Sequence, residues 1–441
     1  LFCSQGRIWN KTTTYNELLG PASGYPFVGV DESKNSFGVW NKHLFGCNDN
    51  FSKPIKIYKD GSSVYQVRTA GLPAFPTSPA INLSGTPGVN VITYAFHYEY
   101  QYYVGTTLFI DNGPIVYKQY DSADAPNINN ITITNLPVLA NGAGDNYDTA
   151  NIKKSIYRTT LNGDTYFFVA SVSNATTSYV DAISDATIQD QSTLYVTGGL
   201  AESGTPPLCK YFHVVNNCGW YANIKDGTQL FPYRFYQSLQ NDIDGVPASF
   251  YGDLEDEIVG VSSFGTRPIY LCKRFIYTID GIIFDDLSGG HTINRISDVA
   301  GCVSNNSVVQ IPTGIVWAGQ DGFYYSDGYQ VVKISKEFSE TYADLVLTET
   351  QKKRIYGTYD GENKRVFWAV QTSESANNDV DKIFVLDLKF GIKEDMPFTT
   401  WSGGDDFSPT ALYVYSGRLG RGHRLGYIFY HDNAFLNDPL V

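Results

Sequence analysis

The chain has 441 residues, of which 42% are hydrophobic, so it can bury two or three hydrophobic cores of ordinary size. Its formal net charge is −13 and its densest basic cluster is Lys352-Lys353-Arg354, which argues against a protein that grips nucleic acid through the phosphates. An acidic surface suits ordinary solubility, and it also suits a conduit through which DNA slides without sticking.

Seven Asp-Gly dipeptides indicate an array of β-hairpins. Asp-Gly suits a two-residue turn of the primed type, because Gly adopts positive φ freely and Asp tolerates it. Asp280 and Asp321 are 41 residues apart, and Asp321 and Asp360 are 39 apart. These intervals are close to the roughly 40 to 50 residues of one four-stranded propeller blade. The dipeptides begin at Asp60, Asp226, Asp244, Asp280, Asp321, Asp327 and Asp360.

Residues 1–75 are predicted to form the first propeller blade or blades. Pro73, Pro76 and Pro79 then mark a linker, because proline lacks a backbone donor for a β-ladder. The predicted strands of this segment lie on either side of the turn at Asp60, at residues 27–30, 36–40, 53–58 and 64–67.

Residues 76–207 are predicted to form an inserted β-sandwich, because the strands become longer and alternate cleanly between apolar and polar residues. The length of the segment and its strand rhythm fit the immunoglobulin or fibronectin-like class. It ends in a second linker at Pro206-Pro207. The predicted strands are at residues 91–103, 130–135, 154–159 and 165–172.

Residues 208–441 return to short strands, including 211–220, 258–264, 269–279 and 365–370, and are predicted to supply the remaining propeller blades. At about 45 residues per blade this region gives five, and the first segment adds one. The predicted fold class is therefore all-β, a β-propeller of about six blades with an inserted immunoglobulin/fibronectin-like β-sandwich. One helical interruption is expected from Ser335 onward, and residues 348–351 match a capping box.

The six cysteines favour buried free thiols in a protein made in a reducing cytosol. They are sparse for a disulfide scaffold, although a bridge from Cys209 to Cys218 is geometrically possible. No pair has Cys-x-x-Cys spacing, so a zinc site is not expected. A secreted adhesion module would instead require oxidised cysteines. The six are Cys3, Cys47, Cys209, Cys218, Cys272 and Cys302.

The histidines are scattered and are interpreted as structural residues, since none has the i, i+4 spacing of a helical zinc site. They are His43, His97, His213, His291, His423 and His431. Neighbouring carboxylates raise the question of a glycosidase, but adjacent residues of a strand face opposite ways and cannot flank one substrate. These carboxylates are Asp253, Glu255, Asp256, Glu257, Asp285, Asp286, Asp405 and Asp406.

The sequence has no nucleophile elbow, phosphate-binding loop, dinucleotide fingerprint or EF-hand-like calcium loop. We therefore predict that the chain is not an enzyme and that it has no catalytic, cofactor-binding or metal-binding residues and no cofactor. The alternative is a carbohydrate-active or carbohydrate-binding β-propeller, either a glycosidase or a lectin.

Several segments, taken in order along the chain, resemble the tail nozzle family of short-tailed bacteriophages, also called tail tubular protein B or the tail-hub stabilisation (muzzle) protein. The segment with the strongest resemblance is 314–335, Gly-Ile-Val-Trp-Ala-Gly-Gln-Asp-Gly-Phe-Tyr-Tyr-Ser-Asp-Gly-Tyr-Gln-Val-Val-Lys-Ile-Ser. The other segments are 156–158, 177–181, Pro206-Pro207, 236–238 with Pro247, 355–361, 365–369, 383–388 and 398–401.

The resemblance implies a structural virion protein of the phage tail. It implies a homo-oligomeric ring, usually of six subunits, below the portal and adaptor proteins and close to the tail fibres or spikes. Such a ring forms the channel for DNA ejection, through which DNA passes without specific binding. The resemblance also implies assembly into the virion after synthesis in the host cytoplasm, no catalytic residues and no membrane insertion by this chain.

Overall fold

The computed structural model describes residues 2–4, 7–11, 15–19, 35–77, 80–123, 130–142, 145–194, 203–281, 291–372, 380–389, 391–402, 409–415, 418–423 and 428–430. The protein is all-β, and antiparallel sheets follow one another along the chain. Its described residues divide into two compact units. Unit 1 contains the residues up to 231 and 235–252, and unit 2 contains 232–234 and the residues from 253 onward. The three domains predicted from the sequence stay a prediction.

Unit 1 begins with two small antiparallel sheets. The first has three strands, β1 (Phe2–Ser4), β2 (Arg7–Lys11) and β3 (Tyr15–Leu19). The second has four strands in sequence order, β4 (Asn35–Trp40), β5 (His43–Asn48), β6 (Ile55–Lys59) and β7 (Tyr65–Thr69). The predicted strand at residues 27–30 lies outside the described residues, whereas β5 was not predicted.

Residues 80–194 form two sheets that share one hydrophobic core, and we call this part the two-sheet module. Its three-stranded sheet contains β8 (Asn82–Ser84), β12 (Ile131–Thr134) and β15 (Ser178–Asp181). Its five-stranded sheet contains β9 (Pro87–Val104), β10 (Thr107–Asn112), β11 (Val116–Ser122), β13 (Ile152–Arg158) and β14 (Phe167–Ser173). A 3-10 turn, Thr149–Asn151, and a short helix, α1 (Asp185–Ile188), complete it.

The next four-stranded sheet contains β16 (Leu208–Val215), β17 (Cys218–Asp226), β18 (Gln229–Gln237) and β19 (Tyr251–Asp253). Its first strand, β16, packs against β4 and β5 of the first four-stranded sheet. The shared core includes Phe45, Phe212 and Tyr221. Two segments that are far apart in the sequence are therefore neighbours in unit 1, on either side of the inserted module.

Unit 2 contains three four-stranded sheets and a three-stranded sheet, each paired in sequence order. The first two are β20 (Ile258–Phe264), β21 (Arg267–Cys272), β22 (Ile276–Gly281) and β23 (His291–Ser297), then β24 (Val309–Ile311), β25 (Gly314–Ala318), β26 (Phe323–Ser326) and β27 (Val331–Lys333). The others are β28 (Tyr356–Asp360), β29 (Arg365–Val370), β30 (Lys382–Asp387) and β31 (Phe398–Ser402), then β32 (Pro409–Tyr415), β33 (Arg418–His423) and β34 (Ile428–Tyr430).

The sheets of unit 2 pack through their first strands, because β20 contacts β24, β24 contacts β28 and β28 contacts β32. Each consecutive pair of sheets shares a hydrophobic cluster, so each sheet is covered by its neighbour in the sequence. Trp317 and Trp368 are the largest side chains of these clusters and are 0% exposed. This arrangement lets short strands bury apolar faces that none of the sheets could bury alone.

Two predicted strands are wrong, because each is a hairpin. Residues 211–220 are divided by Asn216 and Asn217, whose φ values of 54° and 58° form a type I′ turn between β16 and β17. Residues 269–279 are divided between β21 and β22 by a turn at 273–275, which the amide of Cys272 closes by donating to the carbonyl of Phe275 at 2.9 Å. In both segments the residues on each side of the turn are mostly apolar or aromatic, so the alternation of the sequence did not reveal the break at the two polar residues between them.

The Asp-Gly dipeptides do not form the primed turns predicted for them. None of the described Asp residues has positive φ. Instead the aspartate side chain often stabilises the turn by accepting hydrogen bonds from backbone amides. Asp60 accepts from the amides of Ser62 and Val64 at 2.9 Å, and Asp327 accepts from the amide of Tyr329 at 2.9 Å. A short acidic side chain competes well for such backbone donors. The primed turns are made by asparagine, as between β16 and β17.

The helical interruption is confirmed as two short helices, α2 (Ser339–Asp344) and α3 (Glu349–Lys353). The predicted capping box is present before α3, with Thr348 and Gln351 exchanging side chain-to-backbone bonds of 3.3 and 2.8 Å. The first helix starts four residues after Ser335, because the side chain of Ser335 is used to bond the amide of Phe323 at 2.8 Å.

The described cysteines are buried and unbridged, as the sparse spacing predicted. Cys47 and Cys209 lie in the core between the first sheet and the sheet that begins with β16. The possible bridge from Cys209 to Cys218 is not formed. The other two are Cys272 and Cys302, and the side chain of Cys3 lies outside the described part of the chain.

We expect Asp360→Ala to lower the free energy of unfolding by about 1 kcal/mol, because a buried carboxylate that holds a turn is lost. Asp360 is 3% exposed. It accepts from the amide of Glu362 at 3.1 Å and from the side chain of Asn363 at 2.7 Å. Urea denaturation measures the change, with Glu362→Ala as the exposed control from the same turn. Equal losses in the two variants would contradict the role of the carboxylate.

Candidate functional site

The described histidines are buried or half-buried and neutral at pH 7. Burial, followed by the charge of Lys56, lowers the pKa of His43 to about 4. Burial also lowers the pKa of His213 to about 4, and it lowers the pKa values of His97 and His291. His431 and the side chain of His423 lie outside the described residues. In the described part of the chain, no three His, Cys, Asp or Glu side chains form a group that could hold a metal ion.

The acidic residues 253–257 are each engaged by a neighbour within unit 2. Asp253 pairs with Arg234 at 2.7 Å, Glu255 with Arg295 at 2.9 Å and Glu257 with Lys273 at 2.5 Å. Asp256 accepts from the amide of Arg274 at 2.6 Å. These carboxylates hold loops and do not converge on one substrate position. Asp285, Asp286, Asp405 and Asp406 lie outside the described residues.

The most concentrated set of charges is a buried network in unit 1, formed by Lys56, Arg68, Asp111 and Asp244. The Nζ atom of Lys56 lies 3.0 Å from Asp111 Oδ1 and 2.7 Å from Asp244 Oδ2. The guanidinium of Arg68 pairs with the same Asp111 carboxylate. All four side chains are at most 9% exposed. We call these residues the buried charge network.

The buried charge network joins three separate parts of the sequence. Lys56 and Arg68 belong to β6 and β7 of the first four-stranded sheet, Asp111 to β10 of the two-sheet module, and Asp244 to the loop after β18. Aromatic rings surround it, since the guanidinium of Arg68 lies 5.0 Å from the ring of Tyr100 and 4.9 Å from that of Tyr102. These contacts shield the charges from water and fix where the module attaches.

Sequence reasoning missed this network because its members are far apart and share no spacing. One feature of the sequence could have indicated that a buried charge is present. Lys56 stands between Ile55 and Ile57, so this cation interrupts an apolar run. A charged side chain in such a position is buried with a partner. The identity of the partner depends on the tertiary fold.

Asp244 of the buried charge network and its neighbour Asp242 have pKa values that move in opposite directions. Burial, followed by the charge of Asp244, raises the pKa of Asp242 to about 6. Burial alone would also raise the pKa of Asp244, but the charges of Lys56 and Arg68 outweigh it and keep that pKa below its usual value. Acid-base pairs of glycosidases show a similar divergence. Here Asp244 is 3% exposed and bonded to Lys56, so the pair has no open face for a substrate.

We expect Asp242→Asn to raise the free energy of unfolding at pH 7 by about 1–2 kcal/mol relative to the wild type. The gain is no larger because the carboxylate is partly exposed and solvent screens its charge. The folded-state pKa of Asp242 is above its unfolded value, so the wild type loses stability as pH rises through about 6. The difference in melting temperature between Asp242→Asn and wild type should therefore grow from pH 4 to pH 7. A pH-independent difference would contradict the assignment. Asp190→Asn, at an exposed position, is the control.

A second buried ion pair connects the two sheets of the two-sheet module. Arg158 of β13 donates to Asp181 of β15 at 2.8 Å and to Asp185 of α1 at 2.6 Å. The hydroxyl of Tyr94 donates to Asp181 at 2.7 Å, and Arg158 also bonds the carbonyl of Ile183 at 2.6 Å. Arg158 and Asp181 are both 0% exposed. Arg158 and Asp181 thus have hydrogen-bond partners within the module. The pair sets the relative position of the two sheets and leaves neither group available for chemistry.

Unit 1 has a cleft of about 620 Å³ where its two linkers run side by side. Lys53, Asp145 and Tyr147 supply polar groups, and the lining also contains Pro206 and Pro207. Lys53 and Asp145 are paired at 2.7 Å, and the hydroxyl of Tyr147 donates to the carbonyl of Gly71. The polar groups at the wall are thus bonded to one another. The cleft offers volume but no pair of activated groups.

Comparisons with known proteins leave the family open. No protein-family model matches the chain, and no curated protein matches it. Among solved structures, the chain is similar to BBS1N in its complex with ARL6DN, with a TM-score of 0.30 and 8% identity over 85% of this chain and 86% of that one. It is also similar to apo AztD from Citrobacter koseri, with a TM-score of 0.31 and 8% identity over 76% of this chain and 90% of that one. Likeness at this level supports no statement about function.

Described helices of this protein are all short, and none has the length and apolar character needed to cross a membrane.

Proposed function

We propose that this chain is a structural virion protein, a subunit of the tail nozzle of a short-tailed bacteriophage. The observation that supports this most is the placement of the family-like segments. Residues 314–335 contain the last three strands of one four-stranded sheet, and the segments 355–361, 365–369, 383–388 and 398–401 lie on the four strands of the next. The resemblance thus follows sheet boundaries, as a shared fold requires.

The proposal includes a finer fold, a β-propeller of about six blades with an inserted immunoglobulin/fibronectin-like sandwich. Five four-stranded meanders and the first-strand packing within each unit are consistent with blades. The two-sheet module between β7 and β16 is consistent with the inserted sandwich. In this interpretation β4–β7 and β16–β19 are adjacent blades separated in sequence by the insertion.

The proposed mechanism is mechanical. A homo-oligomeric ring, taken as six subunits, would continue the channel below the portal and adaptor proteins, with tail fibres or spikes as neighbours. The net charge of −13 would limit adhesion of the DNA that passes through. The buried ion pairs and the packed cores would keep each subunit rigid, and the mechanism would need no enzymatic step. The protein would be made in the host cytoplasm and function in the virion.

Electron microscopy of the purified full chain tests the proposal. A stable ring with a central pore is the expected result, and a symmetric reconstruction would give the number of subunits. A monomer that binds or cleaves glycans would contradict the nozzle and support the carbohydrate-directed alternative. Binding of duplex DNA measured in parallel should be weak at physiological salt, because the charge of the protein repels the phosphates.

A further inference from the structure

The five-stranded sheet of the two-sheet module has one face in the hydrophobic core and one face outside it. Even-numbered residues of β9 from Tyr94 to Tyr102 lie in the core and are at most 4% exposed. On the opposite face, Tyr103, Leu108 and Ile110 are 56%, 47% and 47% exposed, and Tyr117 is 45% exposed. Leu108 lies directly opposite Tyr103 in the β9–β10 register, so these apolar side chains are neighbours.

Half-buried aromatic rings continue this surface across β13 and β14. Tyr157 stacks on the buried ring of His97 at 5.8 Å and meets Phe168 edge-on at 5.5 Å. Tyr166 lies 5.4 Å from Tyr117. We call the surface formed by Tyr103, Leu108, Ile110, Tyr117, Tyr157, Tyr166 and Phe168 the outer aromatic face. A solvated sheet face normally alternates with polar residues, so a face of this composition indicates an interaction surface.

The outer aromatic face has little charge, in contrast to the rest of the chain. Among its described positions, Glu99 of β9 and Lys153 of β13 lie opposite each other in register. With Asp121 of β11, which pairs with Val91 of β9 on the same side of the sheet, they give the face two acids and one base, whereas the whole chain carries −13. Two copies of the chain repel each other over most of their surfaces, and a largely apolar face with few charges is where they can approach.

The outer aromatic face is large enough to form the core of a specific contact. A fully covered aromatic side chain buries about 150–250 Å², and about half of each side chain is still exposed at the four outermost positions, Tyr103, Leu108, Ile110 and Tyr117. With the half-buried rings this gives about 500 Å² before a polar rim is counted, against about 800 Å² per partner in a standard interface. Strand β10 adds backbone groups, because it ends the sheet and pairs only with β9 among the described strands.

We propose that a second copy of this chain covers the outer aromatic face. The inference rests on the proposed function, which requires copies to associate, and it names the surface that does so. The edge strand β10 and the residues Tyr103, Leu108 and Ile110 form the centre of the contact, and Glu99 with Lys153 forms part of its polar rim. The partner surface buries the aromatic rings, which supplies most of the stabilisation.

The test compares the masses of full-length variants by light scattering over a range of concentrations. Leu108→Asp combined with Ile110→Asp should weaken self-association by about 100-fold or more, because two carboxylates would be buried without partners. The matched control is Val39→Asp combined with Val299→Asp, at positions that are 69% and 84% exposed elsewhere on the chain. The control should assemble like the wild type, within about threefold. Circular dichroism and melting temperature establish that both variants are folded.

Each outcome decides the question. If both variants assemble like the wild type, the face is not the contact, and the nozzle proposal is unaffected. If the wild type is a monomer at every concentration, both proposals fail. If the face variant dissociates but the wild-type assembly has no pore, the contact is correct and the nozzle is wrong. Should the double variant fail to fold, Tyr117→Lys is measured instead, since a lysine at this half-exposed position is tolerated in a monomer.

Discussion

Replacing Lys56 by Met should lower the free energy of unfolding by about 3–5 kcal/mol, the usual loss when one partner of a buried ion pair is removed. Lys56 is 5% exposed and lies within 3.0 Å of two carboxylates, Asp111 and Asp244. Its loss leaves Arg68 as the remaining cation of the network. The Oδ1 atom of Asp244 already has no hydrogen-bond partner, so this carboxylate depends strongly on Lys56.

The control for this prediction is Lys53→Met, which removes a lysine from the loop just before β6. Lys53 also pairs with an aspartate, Asp145, at 2.7 Å, but its side chain is 46% exposed. We expect a loss below about 1 kcal/mol there, because solvent screens the pair. Urea denaturation at pH 7 measures both variants, and adding Asp244→Asn to Lys56→Met should recover part of the loss. Similar losses for the two lysines would show that burial does not control the strength of the network.

Replacing Trp368 by Ala should lower the free energy of unfolding by about 3–5 kcal/mol through the cavity that it creates. The indole is 0% exposed, and its ring lies 4.4 Å from that of Phe323 in the neighbouring sheet. Its Nε1 donates to the carbonyl of Ser307 at 2.9 Å. The same side chain therefore connects β29 to two earlier segments of unit 2, and no neighbour can fill its volume.

One further variant and one control test how Trp368 stabilises the core. Trp368→Phe keeps most of the ring volume but loses the N–H donor, so about half of the loss is expected from the unsatisfied carbonyl and the smaller ring. Trp401→Ala is the matched control, because Trp401 is only partly buried and packs on Phe367 at 5.3 Å. Thermal and urea unfolding, followed by circular dichroism, measure the free energy of unfolding of the three variants and so rank their losses. A loss for Trp401→Ala as large as that for Trp368→Ala would contradict the assigned core.

Local features of this fold could be predicted from the sequence, whereas long-range contacts could not. The capping box at Thr348 is contained within four residues, so its pattern was sufficient. The strands at 258–264 and 365–370 have bounds that match the prediction because turn residues flank them. The hairpin at Asn216 was missed since two asparagines in an aromatic run give no change of periodicity. The buried charge network was missed because its partners are brought together only by tertiary structure.

The distance in sequence between Lys56 and Asp244 has a consequence for synthesis of the chain. The two residues are 188 positions apart. At about 5–20 residues per second, the ribosome needs about 10–40 s to go from one to the other. During this time the first sheet can form its ladders, but Lys56 and Arg68 have only the carboxylate of Asp111 to share. The buried charge network can therefore be completed only after the loop after β18 has emerged from the ribosome.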